Sequence, residues 1–403
     1  MNCNAGEFET CKGQNEALRC NSAGNDYELT QCERGCVNES GGCVECIDNT
    51  QCANPTPHCN ASSQMCERCR LDEDCTSQVC DDSRGECLAP STIVYIAPTG
   101  SAIGNCGTQS TPCSLERGIA RLDATLRILK VAPGMYAPAQ ALTIGGFATV
   151  YGHGATIRGS IAISDPAQVH LRGLVVEDGG LRCDKTAGQP LLDLDRVTVK
   201  GSTRVSVFGC IVTVRRSRFE SQDFPIFQIA DPATSVTVDR TWFESPTSAP
   251  GRGIYAAGGI EVTNSVFVNI PEPINHVTGA QDDSKISFST FINSPIMCLG
   301  GLSTDYTNNV MFSSAGDVIA NPERPCRYSY NVMSAQLTVP MNGFMNTVGD
   351  PRLVDVPTAD FHLRPESPAV DSANPFPDVS LDFEGTSRPQ GAQRDVGAFE
   401  YKP

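Results

Sequence analysis

Between about Val169 and Met333 one short pattern occurs seven times, and self-similarity at so short a period leaves few folds open. The copies read Leu-Arg-Gly-Leu-Val-Val-Glu-Asp (171–178), Asp-Arg-Val-Thr-Val-Lys-Gly (195–201), Arg-Arg-Ser-Arg-Phe-Glu-Ser (215–221) and Asp-Arg-Thr-Trp-Phe-Glu-Ser (239–245). Three more follow at 263–269, 288–293 and 308–314. Each holds one large apolar anchor: Val176, Val199, Phe219, Phe243, Phe267, Phe291 and Phe312, spaced 23, 20, 24, 24, 24 and 21 residues apart. A polar column stands three positions before the anchor (Arg196, Arg216, Arg240, Asn264, Asn309), and small or polar residues such as Asp178, Gly201 and Asn293 stand two after it. Apolar residues alternate within the copies, as in Val236/Val238 and Ile260/Val262, which is a strand periodicity. Two or three short strands per copy, with no Leu-x-x-Leu-x-Leu frame, predict the coils of a parallel β-helix stacked at about 4.8 Å. Variation in repeat length belongs in loops, because each coil touches only its neighbours.

The first 88 residues are of a different kind. They hold 14 of the 20 cysteines. Cys43, Cys46, Cys52, Cys59 and Cys66 are echoed by Cys66, Cys69, Cys75, Cys80 and Cys87, giving tandem repeats 43–65 and 66–88 behind a looser unit with Cys3, Cys11, Cys20, Cys32 and Cys36. With few large apolar residues, this arm is expected to be held by disulfides rather than by a core, and so to belong to an oxidising compartment. Zinc is the rival reading of the Cys-x2-Cys pairs. The density of cysteines and the abundance of Asp and Asn favour disulfides. Residues 1–90 carry 16 acids and 6 Lys/Arg, against 30 and 24 in the remainder, and a chain of net charge −16 is a poor binder of nucleic acid. No apolar run reaches the roughly 20 residues of a membrane span. Met1 runs directly into Asn-Cys-Asn, so an export signal is expected to have preceded a mature sequence that starts near there. A secreted or cell-surface monomer is expected.

Residues 89–156 read as the N-terminal cap and first coils, 157–340 as the β-helix and 341–403 as a C-terminal cap. Leu115, Ile119, Leu122 and Leu126, at spacings of 4, 3 and 4, predict an amphipathic helix begun by Thr111-Pro112 and covering the open end of the core. Cys106 and Cys113 close a small loop. Cys183–Cys210 and Cys298–Cys326 are each separated by about one coil, which predicts two disulfides between adjacent coils.

Beyond Met341 the repeat stops. Gly-Asp-Pro (349–351), Asp360-Phe-His-Leu363, Glu366-Ser-Pro-Ala-Val-Asp371, Asp382-x2-Gly385-x2-Arg388-Pro389 and Asp395-Val-Gly-Ala-Phe-Glu-Tyr401 together resemble the C-terminal region of bacterial choice-of-anchor Q proteins. Tyr95-Ile-Ala-Pro-Thr-Gly100, Cys106-Gly and Pro112-Cys resemble the start of the same group. The resemblance covers roughly 90–403 and implies an exported, right-handed parallel β-helix of the pectin-lyase type, here of about ten coils. It implies no particular activity. The arm resembles tandem cysteine repeats of exported myxobacterial proteins. The chain ends two residues after Tyr401 without a sorting segment, unlike the group.

Chemistry is sparsely signalled. Gln281-Asp282-Asp283 and Gly152-His153-Gly154 look like polygalacturonase motifs, but their order is reversed and the Arg-x-Lys partner is absent. A lyase acting on acidic sugars needs cations and a base. Lys200, Arg216 and Arg240 are the catalytic candidates, with Arg196, Arg218 and Trp242 as ligand-binding candidates. Interleaved Asp195, Glu220, Asp239 and Glu244 offer the plainer reading of neutralised ladders. Asp371, Asp382, Asp395 and Glu400 around Arg388 read either as a bridge that closes the solenoid or as a calcium site. No other cofactor is expected. The five histidines sit in no nucleophile signature. The favoured reading is a non-catalytic recognition or scaffold protein binding a polysaccharide or another cell-surface component. The alternatives are a polysaccharide lyase or hydrolase, and a protein-interaction module in the arm.

Overall fold

A computed structural model describes residues 3–164, 166–186, 188–221, 226–232, 234–245, 252–276, 284–297, 304–314, 316–319, 326–334, 343–376 and 378–403. The chain forms two compact units, Met1–Ile93 (with Thr108–Ser110) and Val94–Gly107 with Thr111–Pro403.

In the first unit, strands Phe8–Cys11, Glu16–Cys20 and Tyr27–Gln31 make an antiparallel sheet, followed by three two-residue or three-residue hairpins. Cys3–Cys20, Cys11–Cys36 and Cys32–Cys43 staple the sheet region. Cys46–Cys59 with Cys52–Cys66, and Cys69–Cys80 with Cys75–Cys87, then repeat one interlocked pattern. The covalent repeat therefore breaks after Cys66 rather than before it, and Cys43 belongs to the preceding sheet. The two copies also share a polar clamp: Asn49 Oδ1 accepts the Cys59 N–H at 2.8 Å, and Asp72 Oδ1 accepts that of Cys80 at 3.0 Å. Zinc is excluded here, because the two cysteine triads close enough to share an ion are all disulfide-bonded.

The second unit is a parallel β-helix. Three parallel sheets of 12, 11 and 7 strands run along it, every strand pairing with its equivalent one turn later. Seven turns carry all three strands, and four more carry two among the described residues. The first sheet begins at Ile93–Ser101 and ends at Gly343–Phe344; the second runs from Gly134–Tyr136 to Thr347–Val348; the third runs from Leu142–Ile144 to Glu272–His276. Alternation puts one residue in two inside, giving a continuous core from Val94 to Met333. Phe219, Phe243, Phe267 and Phe291 stack with centroids 4.8–5.0 Å apart and planes within 10°. Each such pair adds about 0.5–1.5 kcal/mol beyond its burial. The column continues through Met311 and Met333, not through Phe312, which faces outward. The adjacent asparagines 308 and 309 made the frame ambiguous by one residue.

Between the first and second sheets the chain turns on two residues. The first is left-handed in turn after turn: Gly173, Arg196, Arg216, Arg240, Asn264, Phe288, Asn308 and Tyr330 have φ between 47° and 69°. So Asn308, not Asn309, continues the polar column. The second residue builds a buried polar ladder. Ser217 Oγ accepts the Val197 N–H, Ser265 Oγ that of Thr241, Ser289 Oγ that of Ser265, Asn309 Oδ1 that of Ser289 and Asn331 Oδ1 that of Asn309. Corner amides that no strand could satisfy are paired this way inside the molecule.

At the N-terminal end the helix spans only Leu115–Ile119, capped by Ser114 rather than begun at Thr111. Asp123 stops it from reaching Leu126: its carboxylate accepts from the Thr125 and Leu126 amides and the Thr125 hydroxyl, a turn that competes with helix. Ile119, Leu122 and Leu126 nonetheless pack on the core. Cys106–Cys113 and Cys183–Cys210 are bonded, with Cα separations of 5.0 and 6.3 Å. Cys326 is also disulfide-bonded, whereas Cys298 lies outside the described residues.

The segment Leu353–Tyr401 packs against the second sheet. It doubles back as a strap over the outer face of the second sheet, burying Val266, Val268, Phe288, Ile292, Val310 and Val332 under Phe361, Val396, Ala398 and Phe399. Gly397 approaches so closely that a Cβ would lie 2.7 Å from Val310, and its φ of +98° also demands glycine.

Candidate functional site

A solenoid of three sheets offers three long faces, and the chain treats each differently. On the first sheet two outward columns carry charge. One reads Thr149, His170, Asp193, Thr213, Thr237, Glu261 down successive turns; the other reads Lys130, Tyr151, Arg172, Asp195, Arg215, Asp239. In the second column Arg172, Asp195, Arg215 and Asp239 alternate in sign at the rung spacing. His170 Nδ1 lies 3.0 Å from Asp193 Oδ2, and Arg215 holds both oxygens of Asp193 at 3.0 and 2.8 Å. Burial opposes the Asp193 charge, yet His170, Arg215 and Arg172 outweigh it and hold the carboxyl below its usual range. Arg216 grips Asp195 through two bonds of 2.7 and 2.6 Å, Arg196 reaches Asp195 at 3.4 Å and Arg240 pairs with Asp239 at 2.8 Å. His170, Asp193 and Arg215 escaped sequence reading because they lie 22 and 23 residues apart, whereas Arg216 with Asp195 and Arg240 with Asp239 form the neutralised pairs that the sequence offered. The signal was the alternation of sign at equivalent positions of the repeat.

On the second sheet Lys200 Nζ lies 3.4 Å from Glu177, which Arg158 also holds at 2.8 Å, depressing the Glu177 pKa chiefly through that Arg158 hydrogen bond. Arg218 pairs with Glu220 and, at 2.7 Å, with Glu244. Lys200 thus stands on a sheet face while Arg216 and Arg240 stand at a corner, and each is paired with a carboxylate. Trp242 is not a free platform: its ring stacks on Phe361 at 5.5 Å and touches Phe383, under the strap. Its outward direction is determined by the strand, but its exposure is removed by a segment more than a hundred residues later.

The acidic group in the strap is inward-looking. Arg388, fully buried, pairs with Glu400 at 3.0 Å and donates to the carbonyls of Asp395 and Gly397. Asp382 accepts from the amides of Glu384, Thr386 and Glu400, Asp395 from those of Asp371 and Tyr401, and Asp371 from that of Gln393. Each of these carboxylates accepts backbone N–H groups from the loops of the strap and so helps to fold it. Among the described residues, the groups close enough to share an ion are cysteines alone. His362 lies between Asp360 at 2.6 Å and Glu384 at 3.2 Å. His153 sits at a corner against Gly173, and Gln281-Asp282-Asp283 lies outside the described residues.

The third sheet carries the ion pair Arg182–Asp184 and, across adjacent turns, Arg252–Glu272. Its outward column is Ala162, Arg182, Ser206, Gln228, Tyr255 and Asn275, one residue per turn, of which Asn275 is buried. Arg252 lies over the Tyr255 ring at 5.4 Å and pairs with Glu272, which also accepts from Asn275 at 2.8 Å. The repeat pattern alone did not reveal this column, because the third strand of each coil varies most in sequence.

No protein-family model matches the chain, and no curated protein does. Among solved structures, the crystal structure of pectate lyase Pel9A is similar at 15% identity and a TM-score of 0.43, covering 77% of this chain and 96% of that chain. Among the described residues no helix is long and apolar enough to cross a membrane.

Proposed function

We propose that the chain is an exported, non-catalytic recognition protein that holds a polysaccharide strand along the third sheet. The observation that carries this reading is the column Ser206, Gln228 and Tyr255. It sets hydroxyl, amide and ring at a spacing of about 4.8 Å, close to the length of one sugar residue in an extended strand. Hydroxyls and amides suit sugar hydroxyls, and a half-buried Tyr ring suits a pyranose face. The first sheet has its charges matched, and the apolar half of the second is covered. A lyase would need an unmatched cation beside a base, and Lys200, Arg216 and Arg240 each face a carboxylate. The density of disulfides suits secretion or display outside the cell. Titration of the full chain against neutral and acidic polysaccharides tests this. Binding that falls at least tenfold in Tyr255→Ala and Gln228→Ala, with no new reducing ends and no unsaturated-uronate absorbance, is expected. Turnover of any polysaccharide, or binding indifferent to both substitutions, would overturn it.

A further inference from the structure

The second sheet shows how this chain treats outward apolar residues. Where its outer columns are polar, at Glu177, Lys200 and Glu220, the face is open to solvent. Where they turn apolar, at Val266, Val268, Ile292, Val310 and Val332, the strap buries them. The terminal turn departs from this rule. Gly343–Phe344 and Thr347–Val348 are the last strands of the first and second sheets, and no described strand pairs beyond them. Phe344, Met345 and Val348 are 61%, 68% and 49% exposed. Val348 continues the inward stack below Met333, so its exposure is the open end of the core. Phe344 stands outward below Ser329, its ring edge-on to Tyr330. Met345 occupies the left-handed corner with φ of 59°. Arginines at that corner are paired with carboxylates, and Asn264, Phe288 and Asn308 lie under the strap. Met345 is neither paired nor covered.

We propose that this terminal turn docks edge to edge with the same turn of a second copy of the chain. An edge strand leaves alternate N–H and C=O groups open and is a template for another strand. A two-fold axis through the end would set the two edges antiparallel and make the contact self-complementary and closed. Charge selects this occupant. Gly343–Gly349 holds no charged residue in a chain of net charge −16, so two copies meet here with the least repulsion, and a basic or acidic partner would find nothing to pair with. The N-terminal end of the solenoid is covered by the helix Leu115–Ile119, which leaves the C-terminal ends to meet each other.

Light scattering and sedimentation of the full chain through a dilution series test the proposal. A species of twice the 43.0 kDa chain mass is expected at high concentration, dissociating on dilution. Amides of Gly343–Gly349 are expected to lose protection from hydrogen exchange as it dissociates. Phe344→Lys and Met345→Lys, at exposed positions that the monomer fold does not need, are expected to give the chain mass at every concentration. Thr213→Lys, on the open first sheet, should leave the dimer intact. A wild-type chain that is monomeric throughout would overturn the proposal, as would a dimer that survives both substitutions.

Discussion

The arm and the solenoid solve the same problem in opposite ways. Among the described residues of Met1–Ile93 the buried apolar ones are Ala17, Val79, the terminal Ile93 and cysteines, and seven disulfides close intervals of 11 to 25 residues. In the second unit one core of stacked Val, Ile, Leu and Phe runs the length of the β-helix, with Cys183–Cys210 bonded inside it. A unit too small to bury a core relies on covalent restraint of its unfolded state, about 2–4 kcal/mol per bridge, whereas stacked coils rely on burial. The largest expected effect follows. Full reduction should unfold the arm and leave the solenoid standing, read as loss of amide protection in residues 3–93 and its retention at Phe219–Ile292. An arm still protected after reduction would break the contrast.

Two substitutions sharpen it from the other side. Phe267→Ala removes the middle of the ring stack and should cost the solenoid about 3–5 kcal/mol in urea unfolding, with the arm unchanged. Arg388→Met leaves Glu400 buried without its cation, which costs about 3–5 kcal/mol when one partner of such a pair is removed. That loss should appear first as strap release. Trp242 is the single tryptophan and stacks on Phe361, so a red shift of its emission while far-ultraviolet dichroism holds would report it. Loss of both signals together would mean that the strap is part of the core's cooperative unit.

What the sequence could and could not reveal follows the range of each interaction. The Phe219–Phe291 stack and the left-handed arginines repeat at fixed intervals, so a period exposes them. Tandem disulfides in 44–87 announce themselves by spacing, although their partners do not. The strap was legible as a motif but not as a location: Trp242 meets Phe361, and Asn264 meets Arg388 124 residues away, contacts that no local pattern encodes. Lys200, Arg216 and Arg240 stand out as cations; register brings Glu177 to Lys200 and Asp195 to Arg216 from the preceding turn, whereas Asp239 adjoins Arg240 in sequence. The third-sheet column was invisible because Ser206, Gln228 and Tyr255 share no residue type.

A smaller effect concerns pH, and it belongs to the strap alone. Burial pushes the Asp395 carboxyl up to about 6, beside Glu400, Arg388 and the Asp371 amide. Docked, it keeps a proton that the released strap would already have lost, so docking is favoured at low pH and weakens as pH rises from the ordinary carboxylate range through about 6. His362 acts in the same direction. Burial lowers its pKa, but hydrogen bonds to Asp360 and Glu384 outweigh that and raise it, giving stability present below 6.5 and lost as pH rises through the raised value. Asp360 is depressed and acts oppositely, only below its ordinary 3.8. Trp242 emission should therefore report a tighter strap near pH 5 than near pH 8, while amide protection in the arm stays flat across that range.

The smallest effect is expected at the open faces. Lys200 is 40% exposed and reaches Glu177 at 3.4 Å, a surface pair that solvent screens and that contributes little to stability. Lys200→Ala should shift the solenoid's unfolding midpoint slightly, and the shift should vanish in high salt, where the Phe267→Ala loss persists. The same variant separates ladder from active site. As one rung of Arg158, Glu177 and Lys200, its loss leaves a partly exposed Glu177 that Arg158 still holds at 2.8 Å, and polysaccharide binding at Tyr255 is untouched. A Lys200→Ala chain that lost polysaccharide turnover shown by the wild type would instead make that face catalytic, and the matched charges a resting state of the site.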